Sequence, residues 1–195
     1  MKLLFSTTNR GKLRELGAIV QSLGIQVLSP ADVGIAHEVE EDAPTFEGNA
    51  LKKARAAAAA SQMPALADDS GLEVDALGGA PGVLSARFAG GVGHDDLANN
   101  RKLLIELSDI PDQRRTARFR CALAFVDLVH GREIHADGRL EGSILRAPRG
   151  ENGFGYDPLF LVAGDVRSMA ELSMEEKNRI SHRAQAMRKM AELLR

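Results

Sequence analysis

The sequence predicts an α/β fold on a long, mixed, twisted sheet with flanking helices, and three observations predict it. Short apolar runs alternate with stretches of helical periodicity, as in β-α units. Residues 118–129 and 132–141 form two long β-prone runs separated by a turn signal, as in a hairpin. The composition is that of an ordinary globular chain, with 195 residues, 44% hydrophobic, 27% charged and a formal net charge of -2. At about 100 to 200 residues per domain, residues 1–195 form one domain, divisible into two lobes around a central cleft.

The elements follow in order. Leu3 to Phe5 reads as a short buried strand. Leu13, Leu16, Val20 and Leu23 then recur at helical spacing until Gly24. A strand fits Gln26 to Leu28. Pro44 and Thr45 introduce a helix over 46–61, broken at Gln62, Met63 and Pro64. Ala65 to Ala67 reads as a strand that ends in Asp68-Asp69-Ser70-Gly71, a sequence of good turn formers. Leu72, Val74 and Ala76 suggest a further strand up to the turn at 78–82. Leu97, Leu104 and Leu107 fit a helix. His130-Gly131 resembles the two-residue Asn-Gly hairpin turn. Ile134, Ala136 and Leu140 alternate with polar residues, the pattern of a strand with one wet face. Residues 158–162 add a strand, and Ala184, Met187, Ala191 and Leu194 form the stripe of a terminal helix.

Composition excludes several function classes. The only cysteine, Cys121, lies in an apolar run and reads as core packing in a reducing compartment, so zinc knuckles and redox pairs are ruled out. The apolar run Leu3 to Phe5 is shorter than the h-region of about 7 to 15 residues in a secretory signal, and no stretch approaches the ~20 apolar residues of a membrane span. A cytoplasmic protein without a membrane partner is expected. Near-neutral charge, no Trp and 4% aromatics argue against a nucleic-acid partner. The charge is nevertheless uneven. Asp32, Glu38, Glu40, Glu41, Asp42 and Glu47 form an acidic stretch without Lys or Arg, whereas residues 177–195 hold six bases against Glu192. A cation site and a polyanion site are both conceivable in one chain.

Five segments carry candidate chemistry. Residues 6–12, Ser-Thr-Thr-Asn-Arg-Gly-Lys, lie where a strand passes into a helix, and free N–H groups there, with hydroxyl, amide and ammonium groups, suit an anion. Taken alone, Thr8 or Asn9 acting as a simple helix cap is the more economical reading. The GxxxxGK[ST] spacing of a P-loop is absent. Glu40 and Glu41 with Asp68 and Asp69 supply hard oxygen ligands suited to Mg²⁺, although strand alternation lets only one of the two aspartates face a given site. Asn49 and Lys53 share one helical face. Residues 150–158, Gly-Glu-Asn-Gly-Phe-Gly-Tyr-Asp-Pro, place three glycines around Phe154 and Tyr156, so the backbone can approach a flat ligand. Their alternative is a loop with Phe154 tucked into the core. Residues 175–183 end in Ser181, His182 and Arg183, with Ser181 suited to cap the terminal helix. Cations in a first helical turn gain nothing from the helix dipole, which suggests a recognition role toward keto oxygens. His37, His94, His130 and His135 read as incidental.

These blocks, together with Thr-Phe-Glu-Gly-Asn-Ala-Leu-Lys-Lys-Ala and the long segment from Ala67 to Arg87, run in one order over nearly the whole chain. They resemble the inosine triphosphate pyrophosphatase family, also described as dITP/XTP pyrophosphatases. The resemblance implies a homodimeric, two-lobed enzyme that hydrolyses non-standard purine nucleoside triphosphates (ITP, dITP, XTP) to the monophosphate and pyrophosphate with Mg²⁺. It implies that Thr7, Thr8, Asn9, Arg10, Gly11 and Lys12 hold the triphosphate with Lys53, that Glu41 and Asp69 serve the metal, and that Asp69 is also the catalytic proton acceptor. Ser70 would contact substrate, Phe154, Gly155, Tyr156 and Asp157 would embrace the nucleoside, and Lys177, His182 and Arg183 would read the purine. One departure is Gly48, where many relatives carry an acid before the Asn, and Glu47 is assigned no metal role in its place. A catalytically silent nucleotide-binding protein is the competing class, and intact Lys12, Glu41, Asp68 and Asp69 argue against it.

Overall fold

The computed structural model describes residues 2–7, 9–21, 25–35, 39–90 and 95–195; the side chains of residues 10, 16 and 18–21 lie outside that description. Thr8, Leu23, Gly24, His37, Glu38 and His94 therefore fall outside the described residues, as do the side chains of Arg10, Leu16 and Val20. One six-stranded sheet has the order β2-β1-β3-β4-β5-β6, with β1 Lys2–Phe5, β2 Gln26–Leu28, β3 Ala65–Val74, β4 Thr116–Asp127, β5 Arg132–Ile144 and β6 Phe160–Val162. Strand β1 pairs in parallel with β2 and with β3, whereas β5 and β6 are antiparallel, so the sheet is mixed as expected. The helices are α1 Arg10–Gln21, α2 Phe46–Ser61, α3 Asp96–Glu106, α4 Met174–Ile180 and α5 His182–Leu193.

Helix α2 follows its local signals. Thr45 caps it by accepting a hydrogen bond from the Gly48 N–H at 3.1 Å. Ala50, Ala54, Ala57 and Ala58 form its buried face, and Gln62 closes it with a left-handed backbone (φ 55°). Pro64 then gives its carbonyl to the Leu4 N–H at 3.0 Å, which brings the chain beside β1.

Four local expectations change. Residues 68–71 make no turn but lie inside the ten-residue strand β3. The two aspartates find cationic partners instead of folding back on their own backbone, and the Leu72 N–H donates to Ser85 Oγ at 2.8 Å. The strand stops at Val74, and Asp75–Leu77 is a 3-10 turn. Of the stripe expected for α3 and its C-cap, Leu107 is fully buried and Leu104 packs on the core, but Leu97 is 70% exposed and Leu103 takes an inward place. The β4–β5 connection has four residues, 128–131. Of these only Gly131 is left-handed (φ 61°), and the Asp127 carboxylate accepts from the Val129 and His130 N–H groups at 3.0 and 3.2 Å. That excludes the two-residue turn, which requires a left-handed residue at 130 as well.

The chain divides into two compact units. The first comprises Met1–Asp69, Cys121–Gly138 and His182–Arg195, and the second Ser70–Arg120 and Arg139–Ser181. Each has its own core. Leu3, Phe5, Leu66, Cys121, Leu123, Phe125, Met187 and Met190 pack together in the first, so Cys121 is a core residue as expected. Burial pushes its thiol well above its ordinary range, consistent with an inert packing role. Leu72, Leu103, Leu107, Phe119, Tyr156, Phe160 and Met169 form the core of the second. There the Arg115 guanidinium donates to the carbonyls of Ile144 at 2.8 Å and Leu145 at 3.0 Å, and also to that of Leu107. No helix among the described residues is long and apolar enough to cross a membrane.

Candidate active site

In the first unit, β1 leads into α1 through an Asx cap. Asn9 Oδ1 accepts from the N–H groups of Gly11 and Lys12 at 2.8 and 3.1 Å, and Thr7 Oγ1 accepts from the Asn9 N–H at 3.2 Å. Asn9 is thus the cap, and its carboxamide oxygen takes the two N–H groups that a bare helix end would offer an anion. Lys12 and Glu15, three residues apart, point their side chains into a buried charge network. Lys12 Nζ is 2.9 Å from Asp68 Oδ2, Arg183 Nη1 donates to Glu15 Oε2 at 2.7 Å, and Arg183 Nε is 3.7 Å from Asp68 Oδ2.

The adjacent Asp69 belongs to a second set. Lys53 Nζ is 3.2 Å from Asp69 Oδ1 and 3.3 Å from Glu41 Oε1, while Asn49 Nδ2 donates to Asp69 Oδ2 at 3.1 Å. Asn49 also accepts the Ala43 N–H at 2.9 Å, which ties the acidic loop to α2. Asn49 and Lys53 share one helical face, as the spacing predicts, and both are buried. Gly48 explains the departure at its position. A Cβ there would come within 2.8 Å of the Ala43 Cβ, so the loop and the helix pack too closely for an acidic side chain. Glu40 and Glu47 are exposed.

The two neighbouring aspartates are driven in opposite directions. Burial acts to raise Asp68, but Lys12, Arg183 and Lys53 outweigh it and hold the carboxyl below its ordinary value. For Asp69, burial dominates. Lys53 and Lys12 oppose it, Glu41 and Asp68 add to it, and the net direction is up. Burial would lower Lys53, yet Asp69, Asp68 and Glu41 raise it, so its ammonium is retained. Among the described residues, Glu15, Glu41, Asp68 and Asp69 thus face Lys12, Lys53 and Arg183.

In the second unit, the aromatic loop is a set of tight backbone turns. Phe154 N–H donates to Asp157 Oδ2 at 3.0 Å, and Lys177 Nζ donates to the same oxygen at 2.6 Å. Gly153 permits this because its φ is +83° and a Cβ would lie 2.1 Å from Asp157 Oδ2. Lys177 Nζ sits 5.1 Å from the centroid of the Phe154 ring, within cation–π range. Tyr156 is buried in the core with its hydroxyl donating to the Ser85 carbonyl at 2.8 Å, which leaves Phe154 as the partly exposed aromatic of the pair. Gly155 is held on both sides, its N–H donating to Asp96 Oδ2 at 2.7 Å and its carbonyl accepting from Asn100 Nδ2 at 2.9 Å. Ser70 is half-buried on β3, directly after Asp69.

The residues singled out in the sequence therefore gather into two clusters. Lys12, Glu41, Lys53, Asp69 and Arg183 meet in the first unit, where His182 opens α5 as a buried residue after the extended Ser181. Phe154, Gly155, Tyr156, Asp157 and Lys177 meet in the second. Sequence reasoning did not place Glu15, Asp96 or Asn100. Glu15 offers only its helical spacing from Lys12 as a signal. The Asp95-Asp96 pair before an apolar run marks a helix start without showing what it holds.

A model of the Ham1 family matches residues 3–193. The chain is 54% identical to a dITP/XTP pyrophosphatase of Desulforamulus reducens, with 100% of this chain and 96% of the relative covered. It is 50% identical to a dITP/XTP pyrophosphatase of Bacillus subtilis, covering 98% and 96%. A HAM1 protein from Coxiella burnetii superimposes with a TM-score of 0.89 at 39% identity, covering 100% of this chain and 98% of that one.

Proposed function

The chain belongs to the Ham1 family, and from that premise we propose that it hydrolyses non-standard purine nucleoside triphosphates, dITP, XTP and ITP, to the monophosphate and pyrophosphate. The observation that carries this reading is the Lys12–Asp68 and Lys53–Asp69–Glu41 arrangement, in which basic and acidic side chains lie side by side, Asp68, Asp69 and Lys53 buried and Lys12 and Glu41 partly exposed. Such pairs can exchange partners when a polyanion arrives. The ammonium groups turn to phosphate oxygens, and the carboxylates they release are available to a metal ion and to water.

In this reading Lys12 and Lys53 hold the triphosphate with the hydroxyl and amide groups of Thr7, Thr8 and Asn9 and the backbone of Arg10 and Gly11. Because the Asn9 cap occupies two of the local N–H groups, the side chains carry most of this contact. Asp68, held ionised by Lys12, keeps that lysine aimed. Asp69 is suited to take a proton from the attacking water, since burial and neighbouring carboxylates raise its proton affinity. Water adds to the α-phosphorus, the bond to the bridging oxygen breaks, pyrophosphate leaves, and the proton passes to Asp69. Ser70, next on the strand, contacts the substrate.

The residues present fit a hard divalent cation of the Mg²⁺ kind, since Glu41 and Asp69 offer carboxylate oxygens on either side of Lys53. When bound, Mg²⁺ would neutralise charge on the phosphate oxygens and on the leaving pyrophosphate. On the nucleoside side, Phe154 offers a ring face and Gly155, Tyr156 and Asp157 the loop backbone. Lys177, His182 and Arg183 supply donors toward the 6-keto oxygen that distinguishes hypoxanthine and xanthine from adenine, whose amino group would meet them as a second donor. A homodimer acting in the cytoplasm completes the reading.

The test is to incubate the protein with Mg²⁺ and dITP, XTP, ITP, ATP or GTP, assaying pyrophosphate and orthophosphate separately. Pyrophosphate from the first three, lost in Asp69→Asn, is the expected result. Orthophosphate as product, or equal turnover of ATP, overturns the reading.

A further inference from the structure

One face of helix α3 and its C-cap carries residues 96, 100, 103 and 107, at intervals of four, three and four, with Asp96 exposed at its start. Its C-terminal half is apolar, with Leu103 and Leu107 fully buried in the core of the second unit. The N-terminal half of the same face is Asp96 and Asn100, and both side chains end on one residue, Gly155. We infer that Asp96 and Asn100 are positioning residues for purine recognition: together they set the backbone of Gly155 and thereby the presentation of Phe154. This inference rests on the proposal that residues 154–157 hold the nucleoside.

The geometry is that of a two-point clamp. Asp96 takes the N–H of the peptide that joins Phe154 to Gly155, at 2.7 Å, and Asn100 donates to the carbonyl of the peptide that joins Gly155 to Tyr156, at 2.9 Å. The planes on either side of a left-handed glycine (φ +63°) are thus both fixed from one helix, so the freedom a glycine would otherwise have is removed where it matters. Phe154 is bracketed by its own N–H on Asp157 and the next N–H on Asp96.

The helix end that supplies the clamp is itself anchored. Asp95 caps α3 through the Ala98 N–H at 2.9 Å, Asn99 accepts the Ala89 N–H at 2.7 Å and donates to the Ala86 carbonyl at 3.1 Å, and Lys102 donates to the Phe88 carbonyl at 2.8 Å. The chemistry of the pair is also specific. The N–H needs an acceptor and the carbonyl needs a donor, and Asp and Asn supply one each.

The experiment compares Asp96→Ala, Asn100→Ala, Asp96→Asn, Asn100→Asp and Phe154→Ala, with KM, kcat and the preference for dITP over dGTP measured alongside thermal melting. In Asp96→Ala and Asn100→Ala the KM for dITP is expected to rise about tenfold and the base preference to fall, with kcat within about threefold, as for loss of one well-formed hydrogen bond at a binding loop. Asp96→Asn retains the wild-type KM because its amide oxygen still accepts, whereas Asn100→Asp does not, because a carboxylate cannot donate. Should the alanine variants fail to fold, this isosteric pair carries the test by itself, and equal KM values for the two overturn the clamp. Unchanged KM and preference in the alanine variants, whatever their melting temperature, likewise overturn it. If Phe154→Ala raises KM while the α3 variants do not, the clamp alone falls. If Phe154→Ala changes neither KM nor preference, the loop does not hold the nucleoside, and the clamp falls with that reading.

Discussion

In the first unit the polar groups of the site are held by opposite charges drawn from distant segments, Glu15 with Arg183, Lys12 with Asp68, and Lys53 with Asp69 and Glu41. In the second unit the loop around Phe154 is held largely by main-chain hydrogen bonds to fixed side chains, with the Lys177–Asp157 ion pair beneath it. The contrast matches the two kinds of recognition proposed for them. A triphosphate and its metal require charges that can change partners, whereas a flat base requires a surface that does not move. Charge is the variable in one cluster, and backbone geometry is the variable in the other.

The contrast is broken most severely at Asp69. Asp69→Asn keeps the shape and removes the basic oxygen, and turnover measured by pyrophosphate release should fall by about 10² to 10⁴, with little change in melting temperature. The next effect is on stability. Arg183→Met removes the guanidinium that is bonded to the buried Glu15 at 2.7 Å, breaking a buried ion pair from one side, and urea unfolding should show a loss of about 3 to 5 kcal/mol. The double variant Glu15→Leu/Arg183→Met should recover part of that loss. If it does not, the network is held by packing and not by charge.

Smaller again is Thr45→Ala, which removes the α2 cap and should cost about 1 kcal/mol in the same unfolding measurement. The smallest effect lies outside both clusters. Hydrogen bonds from Arg167 hold exposed Asp165 and Glu176 down at about 2, so this triad contributes stability above the ordinary carboxylate range and loses it as the pH falls toward about 2. The stability difference between wild type and Arg167→Gln should therefore be small at pH 7, shrink in high salt and vanish near pH 2. A difference that persists in acid would assign Arg167 a packing role.

What the sequence reveals follows from how local the cause is. Helix α2 is legible to its end residues because its cap, its alanine face and its terminating Gln62-Met63-Pro64 are all contiguous. Strand β3 is expected to end near Asp69 and runs on to Val74 instead, because the lysines that satisfy the two aspartates lie elsewhere in the chain and without them Asp-Asp-Ser-Gly offers turn chemistry as a local alternative. Helix α3 is misread for a related reason. The side that ends in Leu103 and Leu107 begins with the polar Asp96 and Asn100, and a search for apolar periodicity selects the exposed Leu97 instead. Of the site, the contiguous blocks give Lys12, Lys53, Asp69 and the aromatic loop. For Glu15 the sequence offers only its spacing from Lys12, because Arg183, to which it is bonded, lies 168 residues away. Gly48 becomes intelligible only once Ala43 is seen against it.

The borders of the two units fall at Asp69/Ser70, Arg120/Cys121, Gly138/Arg139 and Ser181/His182. The first three lie inside strands β3, β4 and β5, so no linker separates the units and neither is one uninterrupted stretch of chain. A single proteolytic nick can release neither of them whole, and a genetic exchange of one continuous segment cannot transplant either alone. The proposed phosphate chemistry and the proposed base recognition are therefore inherited as one indivisible piece, and a change in substrate range must come from point substitutions within it.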